Sequence, residues 1–224
     1  MKYYFPLLFL IVTSLSSAFA QDKPSPEAAR ATYLDMITKR SDKIVASMDI
    51  SDSVKATKVS AIIRDQYDNL NNIYTKRDAE VKAIKLSNRD DKAALTAALD
   101  KKNTEVEDEL AKLHKKYIKK LSSKLSDAQV DQVKDGMTYS VLPLTYRAYQ
   151  EEILTLKEEE KKQIYLWLTE AREHAMDAES SDKKHAWFGK YKGRINNYLS
   201  AAGYDLKQEG IDWEKRRKVS AQNK

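Results

Sequence analysis

Apolar residues recur at steps of three and four through most of the chain, the period of one face of an α-helix. Residues 27–48 carry Tyr33, Met36, Ile37, Ile44, Val45 and Met48 at that spacing. After Ser51 the series Val59, Ile62, Ile63, Leu70, Ile73, Val81 and Ile84 continues it to about Leu86. Ser87-Asn88 followed by Asp90-Asp91 reads as a turn and the N-cap of a new helix, whose stripe is Leu95, Leu99, Val106, Leu110, Leu113, Tyr117 and Leu121. Two helices of about 35 residues, each about 50 Å long and joined by so short a turn, predict an antiparallel hairpin with solvated charged faces. His114 falls among lysines and reads as solvent exposed.

The second half is more broken. Leu125-Ser126-Asp127-Ala128-Gln129-Val130 is a helix start in which Ser126 and Gln129 form a capping box and Leu125 staples to Val130. Leu154-Thr155-Leu156-Lys157-Glu158 repeats part of it. These steps are similar to repeats of the small periplasmic helical chaperones of the Spy type, although capping alone accounts for them. Gly136 is expected to end the short helix and Pro143 to keep Leu142 out of the helical region, so 136–144 reads as a loop. Helices are expected at about 145–153, 157–178, 182–202 and 205–218, with Gly203 stopping the third. The all-α prediction is therefore a long antiparallel helical hairpin plus a compact C-terminal bundle, in a single domain over 21–224. Residues 27–124 supply the N-terminal helices, 125–218 the bundle and 219–224 a tail.

Composition agrees with that pattern and narrows it. In 224 residues there are 5 Gly and 4 Pro, too few for the turns of a sandwich or barrel, and none of either lies between Pro26 and Gly136. With no Cys, disulfides, thiol nucleophiles and thiolate metal sites are excluded. The net charge of +6 would ordinarily point to nucleic acid. The leader argues otherwise. Met1-Lys2, the apolar run Phe5 to Val12, and Ser16-Ser17-Ala18-Phe19-Ala20 form a secretory signal peptide with cleavage expected after Ala20. Its apolar core is too short for a membrane span. A periplasmic or secreted protein that is not integral to a membrane meets glycans and envelope before nucleic acid, so the expected partner is a glycan, with acidic polysaccharide included.

Aromatic residues are as unevenly distributed as glycine. Residues 21–135 hold Tyr33, Tyr67, Tyr74 and Tyr117, whereas 136–213 hold eleven aromatics, Trp167, Trp187 and Trp213 among them. Two stretches of that half lack acids. One is Gly136 to Gln150, with Tyr139, Tyr146, Tyr149 and Arg147; the other is Lys183 to Tyr204, with five Lys and Arg. On the latter, Phe188, Tyr191, Ile195, Tyr198 and Leu199 read as a core stripe, and Ile164-Tyr165-Leu166-Trp167-Leu168, apolar all round, reads as a buried helix. Trp187, Lys190, Arg194 and Asn197 remain as a second face. Aromatic planes stack on sugar rings while cations and amides bind hydroxyls and carboxylates, so Tyr139, Tyr146, Arg147, Trp187, Lys190, Arg194 and Asn197 are the expected ligand-binding set.

Glu170, His174 and Asp177 share a helix face, so His174 with Glu170 or Glu173 is a candidate acid–base pair. A salt-bridged helix end explains the same spacing. No metal or cofactor motif occurs, and Lys215-Arg216-Arg217-Lys218 reads as a frayed basic tail.

The stretches Asp131-Gln132-Val133-Lys134-Asp135-Gly136-Met137-Thr138-Tyr139, Ala171-Arg172-Glu173-His174-Ala175-Met176-Asp177 and His185-Ala186-Trp187-Phe188-Gly189-Lys190-Tyr191 resemble the family called domain of unknown function 3826. These are secreted proteins, mainly from Bacteroidota, labelled sugar-binding and found beside glycan-degradation genes. The resemblance implies a glycan context and brings no catalytic residue or cofactor. The leading expectation is carbohydrate binding or an accessory role in glycan utilisation. The alternatives are a glycan-processing enzyme using the His/Glu pair, or a helical chaperone or envelope-interaction protein using the hairpin.

Overall fold

The computed structural model describes residues 25–222 and is all-α. Among the described residues eight helices follow in order: α1 Pro26–Ala46, α2 Ser53–Ser87, α3 Lys92–Ser122, α4 Asp127–Met137, α5 Val141–Glu152, α6 Glu158–Met176, α7 Ser181–Ala201 and α8 Leu206–Gln222. The leader and its cleavage site lie outside the described residues. Among the described residues no helix is long and apolar enough to cross a membrane.

Most starts are set by a short polar side chain that takes a free backbone N–H. Ser25 accepts from Ala28, Asp52 from Val54 and Lys55, Asp91 from Ala94 and Ser180 from Lys183. Ser126 and Gln129 form the reciprocal capping box that their spacing predicts, and both staple residues, Leu125 and Val130, are buried. The second L-[ST] step behaves differently: Leu154 is exposed, and α6 begins with Lys157 as its N-cap, closed by Glu160 reaching back to the Lys157 N–H at 2.8 Å.

α2 and α3 form the long hairpin, 35 and 31 residues. Its basal half packs on α1 and α4, burying Ile37, Ile44, Val59, Ile63, Tyr117, Leu121, Val133 and Met137 in one core. A second core lies between α5, α6 and α7, around Leu142, Ile153, Ile164, Leu168, Phe188, Ile195 and Leu199, with Leu206 of α8 against it. α4 contributes its apolar residues Val130, Val133 and Met137 to the hairpin core while also lying against α6. Met176, at the end of α6, belongs to the first core and ties the two.

Three local expectations are corrected. Residues 136–144 are not a loop: Gly136 lies inside α4 and Pro143 inside the first turn of α5, where a missing N–H leaves no helical bond unmade. α4 ends instead at Tyr139 and Ser140, both left-handed at φ 58° and 55°, with the Ser140 N–H bonded to the Asp135 carbonyl at 2.8 Å in a Schellman-type closure. Tyr165 and Leu166 are exposed while Ile164 and Leu168 are buried, so the apolar run on α6 outlines an ordinary two-sided helix. The basic run is helical, not frayed, since Arg216 donates to the carbonyls of Glu151 and Glu152 and so caps the end of α5.

Gly136 is required by packing. A Cβ there would sit 2.9 Å from Ile44 Cγ2 and 3.0 Å from its Cγ1, and Ile44 is a buried, β-branched side chain with little freedom to yield. Gly189 and Gly193 of α7 face open space, with nothing within 4 Å of an added Cβ. Gly136→Ala is expected to lower unfolding stability by about 1–3 kcal/mol through overpacking. Gly189→Ala and Gly193→Ala should each raise it by about 0.5–1 kcal/mol through helix propensity. Urea unfolding of the three variants reads out the opposite signs.

Candidate functional site

The turn from α6 to α7 is where four helices meet. Asp177, the C-cap of α6, accepts from Gln66 of α2 at 3.4 Å and pairs with His114 Nδ1 of α3 at 2.6 Å, and its carbonyl accepts from the Tyr74 hydroxyl at 2.6 Å. Lys184 of α7, buried, donates to the Ala175 and Met176 carbonyls, both at 2.9 Å, and so neutralises the C-terminal end of α6. One turn earlier, Glu173 takes Lys134 of α4 on both oxygens at 2.9 Å and His114 Nε2 at 3.4 Å. Arg172 beside it is buried against Asp131 at 2.6 Å and Asp135 at 2.8 Å.

These pairings fix charge states. Hydrogen bonds to Asp177 and Glu173 outweigh the burial that disfavours the imidazolium, and raise His114 to about 9. Burial alone would raise Glu173, but the bonds from His114 and Lys134 bring it down to about 2. Burial pushes Lys184 down to about 8, with the charge of Arg40 adding to the shift. His114 is therefore a held cation and not the exposed residue that its lysine neighbours predict; its partners lie 63 and 59 residues away in sequence.

A groove of about 610 Å³ opens above this cluster, between α3 and the end of α6 with the start of α7. Leu110, Ala111 and Trp187 make its apolar wall; His114, Glu173 and Asp177 make its polar floor. Trp187 stacks on His174 with ring centroids 4.3 Å apart and planes 13° apart, and Lys190 Nζ lies 5.1 Å from its ring centre. The stack continues along the α6–α7 surface. Arg194 lies 3.7 Å from Glu170 and 4.4 Å from the Trp167 ring centre, and Tyr198 meets Trp167 edge-on at 5.3 Å. Seven residues of helix separate Trp187 from Arg194 and Trp167 from His174, so the two indoles stand about 10 Å apart along the helix pair.

The expected ligand-binding set is thus only partly brought together. Of the set, Trp187 lines the groove, Lys190 lies against its ring, and Arg194 is one step along the same face. Tyr146 packs against Tyr165 at 5.2 Å, and Arg147 pairs with Glu151 on the solvent side of α5. Asn197 is exposed. Tyr139 stacks on His185 at 5.5 Å beside a different cleft, toward α1 and α2. The candidate acid–base residues also diverge: Glu173 faces α4 and α3, His174 faces Trp187, and Glu170 faces Arg194. Sequence spacing missed Tyr74, His114 and Lys134, which reach the site only through the packing of the hairpin and α4 on α6. Among the described residues, no group of three or more His, Asp and Glu side chains is arranged to hold a metal ion.

The model of one protein family, described as a protein of unknown function (DUF3826), matches residues 34–219. No curated protein matches the chain.

Because His114 titrates near 9 in the folded chain against 6.5 ordinarily, its proton favours folding. The contribution is complete below about pH 6.5 and is lost as the pH rises through 9. His114→Gln should therefore cost roughly 1–3 kcal/mol of unfolding stability at pH 6, with the gap to the native chain closing above pH 9. Urea titrations of both proteins across that range measure it, and a gap independent of pH would show that His114 is not held as a cation.

Proposed function

The chain belongs to the DUF3826 family, and from that premise and its own geometry we propose that it is an exported glycan-binding protein that seats sugar in the groove beside Trp187. The observation that carries this reading is the two-sided lining of the groove. A pyranose ring has apolar C–H faces and a rim of hydroxyls. Leu110, Ala111 and Trp187 meet the first, while the Asp177 and Glu173 carboxylates, held in place by the His114 imidazolium, offer acceptors to the second. These polar groups are held by ion pairs on the body of the fold, so they are pre-ordered, which lowers the entropic cost of binding. The secretory pattern of the leader supports an extracytoplasmic setting in which glycans are the abundant ligands.

The arrangement favours binding over turnover. An acid–base role for Glu173 needs a carboxyl that gains a proton near neutral pH, and this one stays ionised down to about 2. His174 and Glu173, adjacent on α6, point to different neighbours.

A glycan array with the mature chain, followed by calorimetry on the best ligands, tests the reading. Trp187→Ala should weaken binding ten-fold or more. Ala111→Trp, an exposed helical substitution that fills the groove without touching the core, should do the same while leaving the thermal midpoint nearly unchanged. Arg147→Ala, on the far side of α5, should bind as the native chain does. Absence of binding across the array, or full affinity in Ala111→Trp, would sink the proposal.

A further inference from the structure

A second, smaller cleft of about 170 Å³ lies on the other side of Tyr74 and Ala178, which line both it and the groove. Its walls are aromatic. Tyr33, Tyr67 and Tyr139 stand around it, and the Tyr33 hydroxyl is committed to the Tyr67 carbonyl at 3.0 Å. Its charge is positive. Lys184 is 5% exposed and uses two donors on helix carbonyls, which leaves a third. Arg40 lies over the Tyr67 ring at 5.4 Å and, among the described residues, has no carboxylate within ion-pairing distance, whereas Glu179 on the rim is already paired with Arg77. Asp177, the carboxylate whose charge bears on Lys184, is taken by His114, so two cations line one small cavity with no ion-pair partner of their own. Their mutual repulsion is one cause of the depressed Lys184 titration.

The backbone at the mouth is strained as well. Tyr139 occupies the left-handed position that ends α4, where a glycine would cost nothing and an aromatic residue costs about 1–2 kcal/mol. Packing does not account for the side chain, which is 43% exposed. Its ring instead forms part of the cleft wall, stacked on His185. The strained residue thus presents a half-exposed ring at the mouth of the cleft, where a ligand can meet it.

We propose that this cleft binds the carboxylate of a uronic acid, with Arg40 and Lys184 taking the charge and Tyr67 and Tyr139 flanking the ring. The inference rests on the glycan reading of the neighbouring groove and deepens it. A chain lying in the groove, whose own floor is rich in carboxylates, passes Tyr74 and places an acidic unit among the cations. Acid selectivity then resides in the cleft, and the apolar contact resides at the groove wall of Leu110, Ala111 and Trp187.

Calorimetry with trigalacturonate and with its fully methyl-esterified form, the same sugar chain with each charge removed by a methyl cap, separates the two sites. The native chain should bind the acid at least ten-fold more tightly than the ester, with the advantage falling as salt rises. Arg40→Ala, at an exposed position, should abolish most of that advantage and leave ester binding within two-fold. Tyr139→Gly should raise the thermal midpoint by relieving the left-handed strain and yet weaken the acid, an opposition of signs that a purely structural role would not produce. Equal affinity for acid and ester, or an undiminished acid preference in Arg40→Ala, overturns the cleft proposal and leaves the groove reading standing. Loss of binding to both forms in Arg40→Ala, equal in size, overturns it too. Failure of the native chain to bind either form or any neutral glycan removes both readings.

Discussion

The constraint on which this structure depends is the neutralisation of charge at the end of α6. Arg172, Glu173, Asp177 and Lys184 all lie within or beside the last turn of that helix and its connection to α7, and all are largely withdrawn from water. An isolated charge in such a place would cost several kcal/mol. Each is therefore matched by a group from a different element: Asp131, Asp135 and Lys134 from α4, His114 from α3, and the terminal carbonyls of α6 itself. Because every partner arrives from elsewhere, satisfying these charges also dictates how the hairpin, α4 and α7 sit on α6. The groove floor and the cationic cleft are the two solvent-facing sides of this one network.

The helices were largely legible in the sequence because helix period and N-caps are local properties. The stripes of α2 and α3, the Asp91 cap and the Ser126–Gln129 box are read from residues within a turn of one another. Gly136 and Pro143 were misread because each has two uses. Glycine ends helices, but it also admits a close neighbour, here Ile44; proline breaks helices, but it also fits their first turn. Only the fold distinguishes them. His114 shows the limit at the site. Nothing near it in sequence distinguishes it from a solvated histidine, since both carboxylates that hold it come from the last turn of α6 and its C-cap. Trp187 was legible as a residue off the core stripe, whereas the separation of Tyr139 from it was not, because the acid-free stretches that contain them lie on different faces of the bundle.

The unequal distribution of basic residues acquires a physical form in the structure. Several of the cations that give the chain its positive balance do not stand free on its surface but lie against aromatic rings: Lys190 on Trp187, Arg194 on Trp167, Arg40 on Tyr67, Arg217 on Trp213. Such contacts contribute about 0.5–1 kcal/mol each where exposed, so the side chains are oriented without being locked. A ligand that approaches an indole can displace a lysine or arginine at little cost and retain its charge as a neighbour.

The distal part of the hairpin leads to a different kind of consequence. Past Ile73 on α2 and before Val106 on α3 no residue is buried, and the two helices are joined only through a half-buried seam that includes Val81, Ile84, Leu95 and Leu99. Neither core draws on this arm, and the capped turn at its tip lies about 20 Å beyond the last buried residue. The arm is consequently free to vary in length by whole turns without disturbing the body. Its tip is the natural graft point for a foreign domain, at which a fluorescent or affinity module could be carried while both cavities remain open.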